Sequence, residues 1–164
     1  MKGAELPIVV RALREPVGTF VRDARVRMSL LVNRSGQVLA QHGFTGGYEV
    51  VNVASLAAAA HASARALAEL TRSGGWSHLH HAGRERQLFL APLDTPVEQL
   101  ILVAIFDADS SLGIVQLFYR RLAQCVATLP ELRAIAPSVD QRTFEQDLEA
   151  GIERVFSPDQ RRED

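Results

Sequence analysis

His78, His80 and His81 are the side chains of this chain best suited to chemistry. Strand alternation would put His78 and His80 on one face, and two same-face imidazoles can begin a zinc or nickel site. The rest of a ligand set is missing: no cysteine lies at ligand spacing, and Glu85, across a turn, is the one carboxylate nearby. A polar edge strand is the simpler reading. Ser110 and Ser111 could be imagined as nucleophiles, but no histidine stands near them in sequence. Together with Asp109 they suit a helix start, where their oxygens accept backbone N–H bonds. Asp107 and Asp109 complement the dipole of the same helix better than they form a catalytic pair. Cys125 falls mid-helix between Leu122 and Val126, the setting of a buried, inert thiol. Gly43, Gly46 and Gly47 lack the spacing of a phosphate or dinucleotide loop, and no P-loop motif occurs. The expectation is a protein that is not an enzyme, with no catalytic residue, no metal site and no cofactor.

The elements that would carry these residues are legible. Residues 6–13 are apolar and begin a helix or a loose arm, with Glu15-Pro16 as punctuation. Residues 16–23 read as a short helix. Residues 26–32 and 37–41 read as a hairpin around Asn33-Arg34-Ser35-Gly36. The alanine-rich stretch 50–73 is the longest helix signal, closed by Gly74-Gly75. Its stripe Val53, Leu56, Ala60, Leu67 and Leu70 should face a sheet, with His61, Arg65, Glu69 and Arg72 on the far side. Strands follow at 76–81, 86–90 and 100–106, with a loop at 92–96, and then a helix at 111–129. The run 100–106 is so apolar that both its faces must be covered. A proline-bounded linker spans 130–139. An amphipathic helix at 140–156 carries Phe144, Leu148, Ile152 and Phe156 on one stripe, and a charged tail runs over 157–164. The expected fold is α+β in α/β/α layers, a five-stranded antiparallel sheet with helices on both faces. Its order is α-β-β-α-β-β-β-α plus the C-terminal amphipathic helix, with residues 15–129 as the domain and 1–14 as an arm.

Composition narrows the function. The 164 residues carry 18 Lys and Arg against 19 Asp and Glu, a net charge of −1, so no nucleic-acid footprint stands out. One cysteine allows no internal disulfide, which agrees with a reducing cytoplasm. No run approaches the ~18 consecutive apolar residues of a spanning helix, and the N-terminus lacks a signal-peptide pattern, so no membrane insertion is expected. Three features point to protein surfaces instead. The strand at 76–81 is short, polar and flanked by turns, as an open edge would be. The stripe Ser55, Ala59, Ala62 and Ala66 is small enough to admit a second copy of the same helix. The stripe at 140–156 needs a groove.

Taken in order, three segments resemble the roadblock family. Residues 31–40, Leu-Val-Asn-Arg-Ser-Gly-Gln-Val-Leu-Ala, look like its first hairpin. Residues 54–60, Ala-Ser-Leu-Ala-Ala-Ala-Ala, look like its second helix. Leu102-Val103-Ala104-Ile105-Phe106 followed by Ser110-Ser111-Leu112-Gly113-Ile114-Val115 looks like its last strand and helix start. The likeness covers about 16–129, and within the family it is to bacterial MglB-type regulators of a Ras-like GTPase, which also carry a C-terminal amphipathic extension.

The resemblance implies a homodimer in which third strands pair across a two-fold axis and second helices pack side by side. Ser55, Ala59, Ala62, Ala66, Trp76, His78, Leu79 and His80 would then form the dimer interface. It also implies a Ras-like small GTPase seated on the paired helices, facing His61, Arg65, Glu69 and Arg72. Activation would come from reorganising the GTPase's own catalytic residues, without an arginine finger. A structural adaptor dimer that leaves hydrolysis unchanged is one alternative. A small-molecule or metal sensor built on the sheet and histidines is another. The chain departs from the family pattern in its arm at 6–14 and its Pro16 break.

Overall fold

The period-2 pattern of residues 99–106 organises the molecule. In the computed structural model, which describes residues 6–44, 46 and 49–135, this segment is the central strand β5, Gln99–Phe106. Leu100, Leu102, Ala104 and Phe106 point to one face, and Ile101, Val103 and Ile105 to the other. All seven are buried, as a strand covered on both sides requires. On either side lie β1 (Met28–Val32) and β4 (Gln87–Asp94). The outer strands are β2 (Val38–Gly43) and β3 (Leu79–Ala82). The sheet order is β2-β1-β5-β4-β3 and every pairing is antiparallel.

Three helices cover the first face: α1 (Leu6–Asp23), α3 (Leu112–Thr128) and α4 (Pro130–Ile135). Helix α1 runs unbroken through Pro16, where the sequence suggested a break between an arm and a short helix. Val9 and Leu13 before the proline lie on the same buried line as Val17, Phe20 and Val21 after it. Their burial outweighs the ~3 kcal/mol that an interior proline costs. The expected linker at 130–139 begins instead with α4, anchored by fully buried Leu132. Pro92, expected in a loop, lies inside β4 opposite Ile101.

The hairpin β1–β2 turns at Asn33, whose Oδ1 accepts from the backbone N–H of Ser35 and Gln37 at 3.0 and 2.9 Å. Gly36 completes the turn at φ +82°, and a Cβ there would press on the Ser55 Cα at 3.2 Å. The hairpin tip thus rests on the helix that covers the second face.

The acidic, hydroxyl-rich turn at 107–111, between the apolar strand and the next helix, is architectural. Arg27 donates to Asp107 at 2.5 Å and to Asp109 at 3.1 Å, clamping the turn to the start of β1. The Arg27 bond holds the Asp107 carboxyl below its usual range, helped by the Asp109 backbone N–H. Ser110 Oγ donates to the Ala24 carbonyl at 2.6 Å, and Ser111 caps α3 by accepting from Ile114 N–H. Cys125 is exposed, not buried as its neighbours suggested, because it falls about a quarter-turn off the line of Val115, Leu122 and Val126 that meets the core.

Candidate interaction surface

Among the described residues, α2, Val50–Leu70, is the one helix that covers the second face of the sheet. Ala54, Ala58, His61, Arg65 and Ala68 recur at three- and four-residue spacing, so they fall on one stripe. Ala54, Ala57, Ala58, His61 and Ala68 are the buried residues of the helix. Methyl side chains let its backbone come close to Met28, Leu30, Val32 and Val103. The larger side chains therefore go outward. Leu56 is 71% exposed, Leu67 61%, Leu70 82% and Val51 73%. This reverses the sequence expectation that Leu56, Leu67 and Leu70 face the sheet. The helix is largely apolar, and the polar line by which the sequence oriented it begins at His61, which is buried. Its length and composition would even suffice to cross a membrane, with 17% of the relevant window buried.

Ser55, Ala59, Ala62 and Ala66, expected to meet a second copy, are all exposed. Of the residues expected to face a GTPase, Arg65 and Glu69 are exposed and approach each other at 3.4 Å. Arg72 lies beyond the helix end in a left-handed conformation at φ 52°. His61 is the exception. It is 4% exposed, buried beneath the helix, and cannot present its ring on an open face as the sequence suggested. Burial, then the charges of Arg34 and Arg65, hold its pKa below the ordinary histidine value. Trp76 packs against it with ring centroids 5.4 Å apart.

Among the described residues strand β3 is an edge: it pairs with β4 and no other strand, and all four of its residues are exposed. The ladder starts at Leu79, three residues later than the sequence suggested. Trp76 and His78 are half-buried in the approach to it, and Leu79 and His80 lie on it. His78 and His80 do share a face, since they stack on Phe89 and Phe106 of the same core. Protein groups meet both ring nitrogens of His78, Ser77 at Nδ1 and Gln116 at Nε2, each at 3.0 Å, and Gln87 meets Nε2 of His80 at 2.8 Å. Among the described residues no group of three His, Cys, Asp or Glu could hold a metal ion. Phe144, Leu148, Ile152 and Phe156 lie outside the described residues. On the opposite face, a groove of about 830 Å³ runs between α1 and α3, floored by Phe20, Phe118 and Leu122.

Among the described residues, a five-stranded antiparallel sheet has one helix on one face and three on the other, with an open edge beside an apolar helix, and this is the geometry to compare with known proteins. A sequence profile of the Roadblock/LC7 domain matches residues 15–106, more than half the chain. The chain belongs to the Roadblock/LC7 domain family. No curated protein sequence matches it. Among solved structures, this roadblock chain resembles the Myxococcus xanthus MglB with a TM-score of 0.66 at 24% identity, over 72% of this chain and 86% of that one. It resembles an MglB described in a tetrameric arrangement at 0.63 and 29%, over 80% and 93%. It resembles the gliding protein MglB of Thermus thermophilus at 0.61 and 28%, over 80% and 94%. The roadblock fold of this chain is thus close to that of MglB.

Proposed function

We propose that this roadblock protein is a homodimeric regulator of a Ras-like small GTPase, acting in the cytoplasm as an activator or effector scaffold and not as an enzyme. The observation that carries the reading is the pairing of two uncovered surfaces, the outward leucines of α2 and the open edge β3. A two-fold axis beside β3 would add strand to strand and bring two α2 helices together, satisfying both surfaces at once. The 28–29% identity to two MglB structures over 80% of the chain supports assigning the partner as a Ras-like GTPase. Arg65 and Arg72, exposed at the C-terminal end of α2, are the cations placed to meet it.

The test is single-turnover GTP hydrolysis by a Ras-like GTPase encoded beside this protein, with and without added dimer. Acceleration that falls in Arg65→Ala and Arg72→Ala supports the activator role. Binding without a change in rate moves the assignment to a structural adaptor. Absence of binding rejects the GTPase partner.

A further inference from the structure

We infer that Arg34, His61 and Arg65 form a binding site for an oxyanion, a carboxylate or a phosphate group. Three observations meet here. First, a cavity of about 310 Å³ opens at the flank of α2, lined by Arg34, His61, Arg65 and Glu69 with Ala58, Ala62 and Ala66. Second, both ring nitrogens of His61 are buried and have no hydrogen-bond partner among the described residues. Buried polar atoms are almost always paired, so an imidazole with two orphaned nitrogens marks a place where a polar group is missing. Third, the two guanidiniums are weakly engaged. Arg34 reaches Gln99 at 3.5 Å, and Arg65 reaches Glu69 at 3.4 Å. Each guanidinium carries five N–H donors in a planar fork suited to oxyanions.

The site is held in place from both sides. Arg34 stands in the hairpin turn that Asn33 and Gly36 lock against α2. His61 is wedged against Trp76. With a neutral imidazole, the cavity lining carries two cations and one anion, an excess of one positive charge facing a concave surface. A bound oxyanion completes the arrangement: it accepts from the two guanidiniums, and its negative charge favours a protonated His61 able to donate. Buried Ala58 backs the site with an apolar wall.

The protein alone suffices for the test, so a failure here is distinct from a failure to find a GTPase. Trp76 is the only tryptophan and touches His61, so its emission reports on the site. Sodium phosphate and sodium acetate are titrated separately at constant ionic strength, with chloride as the balancing anion, up to about 100 mM, where exposed charges are already screened beyond ~10 Å. The expected result is a saturable change in Trp76 emission for one or both anions, with an upward shift of the His61 ring titration seen by NMR. Saturation by phosphate alone assigns a phosphate group, and saturation by acetate assigns a carboxylate such as an acidic side chain. Arg34→Gln and Arg65→Gln should each weaken binding about tenfold, the loss of one charge-assisted bond. Both residues are exposed, so the variants should fold. A linear response, or a response unchanged in the Arg34→Gln/Arg65→Gln double variant, overturns the site.

Discussion

Replacing Leu67 by alanine should weaken dimerisation strongly while leaving the protomer intact. Leu67 is 61% exposed in the protomer. Fully burying a leucine is worth about 1.5–3 kcal/mol, so covering that exposed fraction contributes about 1–2 kcal/mol. A two-fold dimer contains the residue twice, which doubles the effect to about 2–4 kcal/mol. Alanine keeps its β-carbon, so the lower end is expected, about a 30-fold rise in the dimer dissociation constant. Sedimentation equilibrium over a dilution series measures it. Leu56→Ala should behave alike, since Leu56 is 71% exposed on the same side of the helix. Val10→Ala, at an exposed position of α1 on the other face of the sheet, should leave the constant unchanged. Denaturation of the monomeric pool should be nearly unaltered, because leucine and alanine are both good helix formers. A Leu67→Ala constant within about threefold of the parent, or a parent that stays monomeric at every concentration, would falsify the placement of α2 at a dimer interface.

Three further outcomes are expected. His61→Leu should raise the melting temperature, because it removes two orphaned buried nitrogens whose desolvation costs about 1–3 kcal/mol. The parent has a His61 pKa lowered in the folded state, so its unfolded chain binds the proton more readily. Its stability is therefore full above the ordinary value of about 6.5 and falls as pH drops through that value, and His61→Leu should flatten this slope in a pH series of denaturation curves. Asp107→Asn should destabilise the fold at neutral pH by removing the carboxylate charge that Arg27 pairs with at 2.5 Å. Since Asp107 has a depressed folded pKa, the stability it supplies is present above the ordinary carboxylate range and lost as pH falls through the folded value, so the variant should lose less on acidification. Ala54→Leu should cost about 1–3 kcal/mol by pushing α2 off the sheet, read as a lowered denaturation midpoint.

The antiparallel sheet and the order of its strands and helices were legible because they depend on local signals. Residues 100–106 are continuously apolar, Asn33 to Gly36 carry turn chemistry, and Ser111 stands where a cap is needed. Pro16 misled because a local penalty was outweighed by a buried line of Val9, Leu13, Val17 and Phe20 that only the packed face of α1 makes visible. The orientation of α2 was misread for a related reason. Leucines carry the hydrophobic signal, yet alanines set how closely a helix can approach a sheet, and in a largely apolar helix the closer packing decided the buried face.

The oxyanion site was out of reach of any spacing rule, since Arg34 and His61 are brought together only by a hairpin tip resting on a helix. By itself, then, the sequence determined the order of strands and helices through α3, the doubly covered strand, its capped turn and the family resemblance. Tertiary structure alone decided which side of α2 faces water, and that His61 is buried with both ring nitrogens unpaired among the described residues. Those are properties of contacts between segments distant in the chain, and no local pattern encodes them.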